Sequence, residues 1–275
     1  MYPTFFQLGP LTLHAFGVMM ALGFVAALAV MRRLSRHGFG GLDDDQLARL
    51  IVWIMAGGIV GARLAYVAEH WSGEFAANPG AIIRIDQGGL MFYGGVLGAI
   101  LAIGGFARRA GRPLFDLLDL CAVGLPLGHA FGRLGCFLNG CCFGRVCQGT
   151  LGVGYPAGSL AWREQVAAGL LPASAASSLP VVPIQLVELA ANLVIFGLLL
   201  RLARRHPARG RVTSAYLLLY AVVRFTTETL RGDPRLTQGG LSIGQWVSIL
   251  VFAIGLGLGG MFWRGTARQP RPPRA

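Results

Sequence analysis

Residues 184–211 read I-Q-L-V-E-L-A-A-N-L-V-I-F-G-L-L-L-R-L-A-R-R-H-P-A-R-G-R. The first twenty are predominantly apolar, close to the ~20 residues that carry an α-helix across a ~30 Å hydrocarbon core. The stretch then closes on Arg201, Arg204, Arg205, Arg209 and Arg211, the flank that marks the cytoplasmic face of a membrane helix. Outward from it the same pattern recurs, giving predicted spans at 11–31, 47–68, 89–107, 115–131, 184–203, 212–230 and 241–263. The fourth is the shortest and opens on Asp116 and Asp119. Composition agrees: of 275 residues 54% are hydrophobic and only 13% charged, with a mean hydropathy of +0.59. A soluble domain carries about 25% charged residues, so a soluble globule, a coiled coil and a disordered chain are excluded. The forty-one glycines fit membrane helices as well. The expected fold is all-α: a polytopic membrane protein with seven transmembrane helices in one domain over 1–263. Within it, 132–183 is expected to form a small periplasmic Gly/Cys loop and head region, and 264–275 a basic, Pro-rich cytoplasmic tail.

All 24 basic residues are arginine, against 12 acids, a formal net charge of +12. Fifteen of them follow the first, third, fifth and seventh spans: Arg32, Arg33 and Arg36; Arg108, Arg109 and Arg112; the five quoted above; and Arg264, Arg268, Arg271 and Arg274. They fall on alternate connections, which puts the N-terminus outside and the C-terminus inside. No basic residue precedes the first span, so it is expected to remain as an anchor. Arg49 belongs near a cytoplasmic helix end. The remaining eight, Arg63, Arg84, Arg133, Arg145, Arg163, Arg224, Arg231 and Arg235, fall in outer halves of spans or in outward connections. The basic balance therefore speaks for topology and a local anion site, and no nucleic-acid partner is expected.

Arg63 lies roughly 24 Å and Arg224 roughly 18 Å along their predicted helices at 1.5 Å per residue. Arginine near the bilayer centre costs at least ~2.5–3.5 kcal/mol on insertion scales, so a partner is required. One is an ion pair, for which Arg224 and Glu228 have i, i+4 spacing. The other is the phosphate of a phospholipid, which guanidinium groups bind through paired, charge-assisted hydrogen bonds. Tyr220, Arg224, Glu228 and Arg231 share one helix face, a polar stripe that should look into a protein-lined cavity. Gly57, Gly58 and Gly61, just before Arg63, are expected to serve close helix packing.

Residues 132–147, G-R-L-G-C-F-L-N-G-C-C-F-G-R-V-C, carry Arg133, Asn139 and Gly144 among several glycines. That glycine density predicts a loop whose backbone N–H groups approach an anionic ligand. Cys136, Cys141, Cys142 and Cys147 lie here in a compartment where disulfides are permitted, and Cys136 with Cys141 or Cys147 is a possible pair. The spacing C-x4-C-C-x4-C lacks the paired C-x2-C knuckles of zinc sites, so no metal is expected. Tyr93, within G-G-L-M-F-Y-G-G (88–95), reads as an interfacial aromatic.

The 132–147 segment resembles the signature of the prolipoprotein diacylglyceryl transferase family. Further matches run in order through all seven spans: L-x-L-H14-x-x-G17, G-A-R63-L-A-Y66, G-G-L-M-F-Y93-G-G, P183-I-Q185-L-V-E188, Y220-x3-R224-F-x2-E228-x2-R231 and S242-I-G-Q245-x-x-S248. The chain departs from the family where Tyr93 replaces a histidine, Phe16 a tyrosine, and Cys136 and Cys141 an asparagine and a glutamate. The resemblance implies a multi-pass enzyme of the bacterial inner membrane. It would transfer the sn-1,2-diacylglyceryl group of phosphatidylglycerol to the lipobox cysteine of prolipoproteins, forming a thioether, releasing glycerol phosphate and needing no cofactor. It implies Arg133 and Arg224 as the phosphate clamp, Glu228 orienting Arg224, and Arg231 or Arg63 at the entrance. Asn139, Gly144 and Tyr220 join them in binding phosphatidylglycerol. The substrate thiol must ionise; the positive field of the site is the first candidate, with His14 and Tyr93 as side-chain candidates. A free phenol, ionising near ~10, is poorly matched to neutral pH. Two other readings compete: a diverged, periplasm-facing thiol–disulfide protein acting through the four clustered cysteines, and a lipid or anion transporter built on the arginines.

Overall fold

The structure, a computed structural model, describes residues 4–8, 11–147, 149, 151–232 and 237–262. The expected tail at 264–275 and Arg235 lie outside these residues. A hairpin of β1 (Thr4–Leu8) and β2 (Leu11–His14) leads into α1 (Ala15–Arg36) and α2 (Asp44–Glu69). One π turn (Trp71–Phe75) and two 3-10 turns (Pro79–Ile83 and Ile85–Gln87) connect to α3 (Phe92–Arg109) and α4 (Leu114–Asn139). The short α5 (Leu160–Ala167) precedes α6 (Ile184–Ala203) and α7 (Arg211–Glu228), and a two-residue-per-strand hairpin, β3 (Thr237–Gln238) with β4 (Leu241–Ser242), precedes α8 (Ile243–Phe262). The protein is thus mostly helical. Helices α1, α2, α4, α6 and α8 are long and apolar enough to cross a membrane. At 18 residues each, α3 closes on Arg108 and Arg109, and α7 carries Arg211, Arg224 and Glu228. Val52, Leu64, Val194 and Leu250 stand more than half exposed on helices, a surface suited to lipid and not to water. This is a membrane protein.

Two boundaries correct the sequence reading. The first helix starts at Ala15 and not at 11, because Leu11–His14 pairs as a strand with Thr4–Leu8. The fourth helix does not stop at 131: it runs on to Asn139, so Arg133, Cys136 and Asn139 are helical and not in a loop. Its glycines are packing positions. A Cβ at Gly135 would meet Phe16 Cδ2 at 3.1 Å and Met19 Cβ at 3.2 Å, and one at Gly132 would meet Met20 Sδ at 3.3 Å. Close approach to α1 offsets the ~1 kcal/mol that glycine costs a helix.

The described residues divide into two compact units, 4–34 with 119–262 and 35–118. In the second, α2 and α3 pack through glycine, as expected: a Cβ on Gly61 would lie 2.8 Å from Gly98 Cα. Asp43 caps α2 with a reciprocal bond to Gln46.

In the first unit, α6 presents Gln185, Glu188, Asn192, Ile195, Leu199 and Ala203, all buried, at helical spacing on one face. Helix α8 buries Gln245, Ser248, Gly255 and Gly259, and Ser214 Oγ of α7 donates to Gly255 O at 2.8 Å. The first turn of α7 has no side-chain cap of its own, since its N-cap is Gly210. Asp119, fully buried on α4, supplies it by accepting from Gly210 N (2.8 Å), Thr213 N (2.9 Å) and Thr213 Oγ1 (2.7 Å). The acid that made the fourth span look weak is thus a cap in trans, favoured also by the helix dipole. Asp119→Ala is expected to destabilise the protein by about 3 kcal/mol, from lost charge-assisted bonds and stranded N–H groups. The melting temperature in detergent checks this; an unchanged value would refute the capping role.

Candidate functional site

The site starts from Glu188 of α6, a buried carboxylate one turn beyond Gln185. Its Oε2 lies 2.7 Å from Arg133 Nε of α4, and its Oε1 lies 3.3 Å from Arg224 Nη1 of α7. Thr227 Oγ1 donates to Oε1 at 3.0 Å. Arg224 continues the chain, with Nη2 2.6 Å from Glu228 Oε2, the i, i+4 pair anticipated from spacing. Ser242 Oγ donates to Glu228 Oε1 at 2.9 Å. Gly244 keeps room for that carboxylate, since a Cβ there would sit 2.7 Å from Oε1. The result is an alternating row, Arg133–Glu188–Arg224–Glu228, that ties together α4, α6 and α7. Its charges balance, which is what burial demands.

Two aromatic neighbours complete it. The N–H of Arg133 Nε points at His129 Nε2, 3.1 Å away. Guanidinium only donates, so this nitrogen accepts and the imidazole is neutral with its proton on Nδ1. Tyr220 lies 5.7 Å from the His129 ring and stacks on Tyr216 at 5.7 Å. With its Nε committed, Arg133 has two Nη groups that make no hydrogen bond or ion pair among the described residues. Such a fork fits two oxygens of a phosphate.

The segment after α4 is a strap. Its residues pair with two others: Gly144 N donates to Val182 O (2.9 Å), Arg145 N to Leu230 O (2.9 Å), and Gly232 N to Phe143 O (3.2 Å). Gly144 thereby forms a bridge with Arg231, and a Cβ there would meet Val182 O at 2.6 Å and Leu230 O at 2.9 Å. Glycine at 144 is thus set by backbone crowding on both sides. Gln185 Nε2 donates to Cys141 O (2.8 Å) and Tyr155 OH (3.1 Å), fixing the strap to α6. Phe143, Tyr155, Ala161 and Val181 form the small core of the head region. All five cysteines are free thiols, and the Sγ atoms of Cys136, Cys141 and Cys142 lie within 4.8 Å of one another. The Cys142 thiol is pushed below its ordinary range because the Cys136 and Cys141 thiols donate to it, with Arg231 adding positive charge. Asn139 is the exposed last residue of α4.

The structure treats the sequence candidates unequally. Arg133, Arg224, Glu228 and Tyr220 gather around Glu188, and Gly144 and Arg231 join in the strap. His14 is an exposed strand end. In the other unit, Tyr93 is 54% exposed in the first turn of α3, its ring edge-on to Phe92. Arg63 is no open phosphate ligand. Its Nε donates to Ile82 O (2.8 Å), Nη1 to Gly88 O (2.9 Å) and Gly89 O (3.0 Å), and Nη2 to Ala81 O (2.6 Å). With Tyr66 and Phe75 against its guanidinium, it staples the turns before α3. Arg163 likewise serves its own loop through Gly158 O (2.9 Å). Of the outer arginines, Arg63 and Arg163 thus spend their donors on backbone carbonyls of their own turns. His129 and Thr227 escaped the sequence reading; the i, i+4 spacing of His129 to Arg133 was the available signal for the first, and Thr227 had none.

Comparison with known proteins decides the family. The sequence model described as "Prolipoprotein diacylglyceryl transferase" matches residues 3–262. A phosphatidylglycerol–prolipoprotein diacylglyceryl transferase of Bordetella avium (strain 197N) is 35% identical over 273 residues, 98% of this chain and 97% of that protein. Like-named proteins of Xanthomonas campestris pv. campestris (strain B100) and Xylella fastidiosa (strain M23) are 35% and 33% identical, each across 95% of its own length and 99% and 98% of this chain. The chain belongs to the prolipoprotein diacylglyceryl transferase family. The matched region contains every residue of the Arg–Glu row and the strap, so in this diacylglyceryl transferase family member the row is part of the shared chain and no appendage. Glu188→Ala would leave the part-buried Arg133 without its counter-charge and Arg224 with Glu228 alone, a loss expected to cost about 3 kcal/mol. Arg63→Ala should also lower thermal stability, yet leave phosphatidylglycerol binding by the folded fraction intact, because its donors serve carbonyls. Melting curves combined with lipid-binding isotherms separate the two, and loss of lipid binding in folded Arg63→Ala would contradict the staple.

Proposed function

We propose that the chain transfers the sn-1,2-diacylglyceryl group of phosphatidylglycerol to the lipobox cysteine thiol of prolipoproteins, the activity its relatives' names describe. The observation that supports this most directly is Arg133: its Nε is anchored by Glu188 and His129 while its Nη fork has no partner among the described residues. In the reaction a sulfur–carbon bond forms as the carbon–oxygen bond to phosphate breaks. The electron pair leaves on the phosphate oxygen as glycerol phosphate, and the thiol gives up its proton. A preorganised guanidinium fork aimed at that phosphate is worth more in the transition state, where leaving-group charge grows, than in the bound lipid.

Arg224 is the second cation of the clamp, oriented by Glu228 through the 2.6 Å pair. Arg231 lines the site beside Gly144 on the strap, with Asn139 and Tyr220 as further lipid contacts. Glu188 and His129 are positioning residues acting through Arg133. The field of the clamp is the first source of the substrate thiol's ionisation, and His14 and Tyr93 are the side-chain candidates for assisting it. All seven long helices cross the bacterial inner membrane, N-terminus out and C-terminus in, with 132–183 on the periplasmic side.

Purified protein supplied with phosphatidylglycerol and a lipobox peptide should yield diacylglyceryl-peptide. Arg133→Lys keeps the charge but not the fork, and should lower kcat roughly 10²-fold, the scale of losing one transition-state donor. His129→Gln should retain most activity because an amide oxygen still accepts from Arg133 Nε, whereas His129→Leu should not. Absence of product from the wild-type protein would refute the activity, and equal rates for both His129 variants would refute the positioning role. For topology, a green fluorescent reporter fused to the C-terminus should fluoresce and a periplasm-dependent phosphatase there should be inactive; the reverse would overturn the orientation.

A further inference from the structure

The three gathered thiols lie outside the Arg–Glu row, and no step of the transfer uses them. Their assembly is a product of backbone shape. Cys136 begins the last full turn of α4, and Gly140, at φ +73°, reverses the chain so that Cys141 N donates to Cys136 O at 3.1 Å and Gly140 N to Phe137 O at 3.2 Å. Cys142 then adopts φ +59°, one of two non-glycine residues among those described with positive φ. A side chain in that region costs of order 1 kcal/mol and persists where the surroundings hold it. Here they do: Gln185 holds the Cys141 carbonyl and Val182 holds Gly144. The C-x4-C-C spacing that argued against a metal is thus folded back on itself, and three sulfurs converge from a helix end and a fixed turn.

We propose that Cys136, Cys141 and Cys142 form a binding site for one soft, closed-shell cation of the Zn(II) or Cu(I) class. At a metal–sulfur bond of about 2.3 Å, three thiolates around one ion stand about 3.8–4.0 Å apart. The sulfurs already lie within 4.8 Å of one another, so side-chain adjustment of less than about 1 Å closes the set. Thiolates are the donors that select such ions over hard cations. Each coordinated thiol releases one proton to solvent, so binding is a metal-for-proton exchange and needs no oxidant. A disulfide is the less fitting use of the same atoms. It would leave one of three sulfurs over, and a bond between the neighbours Cys141 and Cys142 would close a strained ring across a single peptide. Cys147 is not in the group; its N–H is spent on Pro180 O at 2.9 Å and its thiol is separate. The site stands apart from the transferase reading, and binding is measured without lipid or peptide.

The test uses the full chain in detergent, reduced and desalted under argon, titrated with Zn(II) against a chromogenic chelator and with Cu(I) against bathocuproine disulfonate. One equivalent should bind per chain in at least one titration, and the arm that saturates names the ion. Affinity should fall at least 100-fold when Cys136, Cys141 and Cys142 are all changed to serine, and should hold in Cys121→Ser and Cys147→Ser. Protection from N-ethylmaleimide, mapped by mass spectrometry on the wild-type chain, gives a second reading should the triple variant fold poorly: the bound ion must shield these three thiols and leave Cys147 reactive. Neither metal binding more tightly than to the triple variant, protection of other cysteines, or a Cys136–Cys141 disulfide found in protein prepared without reductant would each overturn the proposal.

Discussion

The buried carboxylate of Glu188 is the constraint on which the first unit is organised. Desolvating an ion costs several kcal/mol even after relaxation, and Glu188 avoids that by sitting between two guanidinium groups from two other helices. Each guanidinium needs it in return. The helices carrying these groups are apolar elsewhere, and lipid offers little drive to hold one apolar helix against another. A charged row drawn from three helices is therefore a register device as well as a site: sliding α6 by one turn against α4 or α7 would strand Arg133 and leave Arg224 with Glu228 alone. The same row faces the polar side of α6 inward, leaving residues such as Val194 for lipid.

Asp119, Arg63 and Arg133 are satisfied in three ways, and the difference separates structure from chemistry. Asp119 spends its carboxylate on N–H groups at a helix start, and Arg63 spends four of its N–H groups on carbonyls of a turn. Both are saturated by groups nearby in the fold, and a ligand would have to break existing bonds to use them. Arg133 is satisfied in charge by Glu188 yet keeps its Nη pair uncommitted among the described residues. Charge balance lets it be buried, and spare donors let it act. Depth in the membrane alone, which made Arg63 and Arg224 look alike, does not distinguish them.

Much of this was legible along the chain because hydropathy and helical period are local properties. The α6 span was read to the residue, and the Arg224–Glu228 pair follows from i, i+4 spacing on one helix. The failures come where a residue's meaning depends on another segment. Gly132 and Gly135 read as loop formers because the α1 side chains against them are remote in sequence. Asp119 read as a defect in a span because the helix start it caps belongs to α7. His129 was invisible beside Arg133, since a histidine on an apolar helix has no meaning until its neighbour's N–H is seen to point at it.

Those lessons bear on Tyr93 and His129 as candidate bases. A side-chain base needs a partner that fixes its tautomer or aims its lone pair. Tyr93 is half exposed, and its recorded partner is the ring of Phe92. His129 does have such a partner, but its accepting nitrogen is occupied by Arg133. An imidazole in that position steadies a cation and cannot at the same moment take a proton on Nε2. The geometry therefore favours a division of labour in which the cations do the work twice. In the proposed reaction they would hold the phosphate, and their field would lower the cost of forming a thiolate beside it. A thiol needs less help than a hydroxyl for this, because its ordinary pKa of about 8.5 lies within reach of neutral pH. A transfer whose nucleophile is sulfur can for that reason proceed without a dedicated side-chain base, provided that a guanidinium fork such as that of Arg133 meets the phosphate.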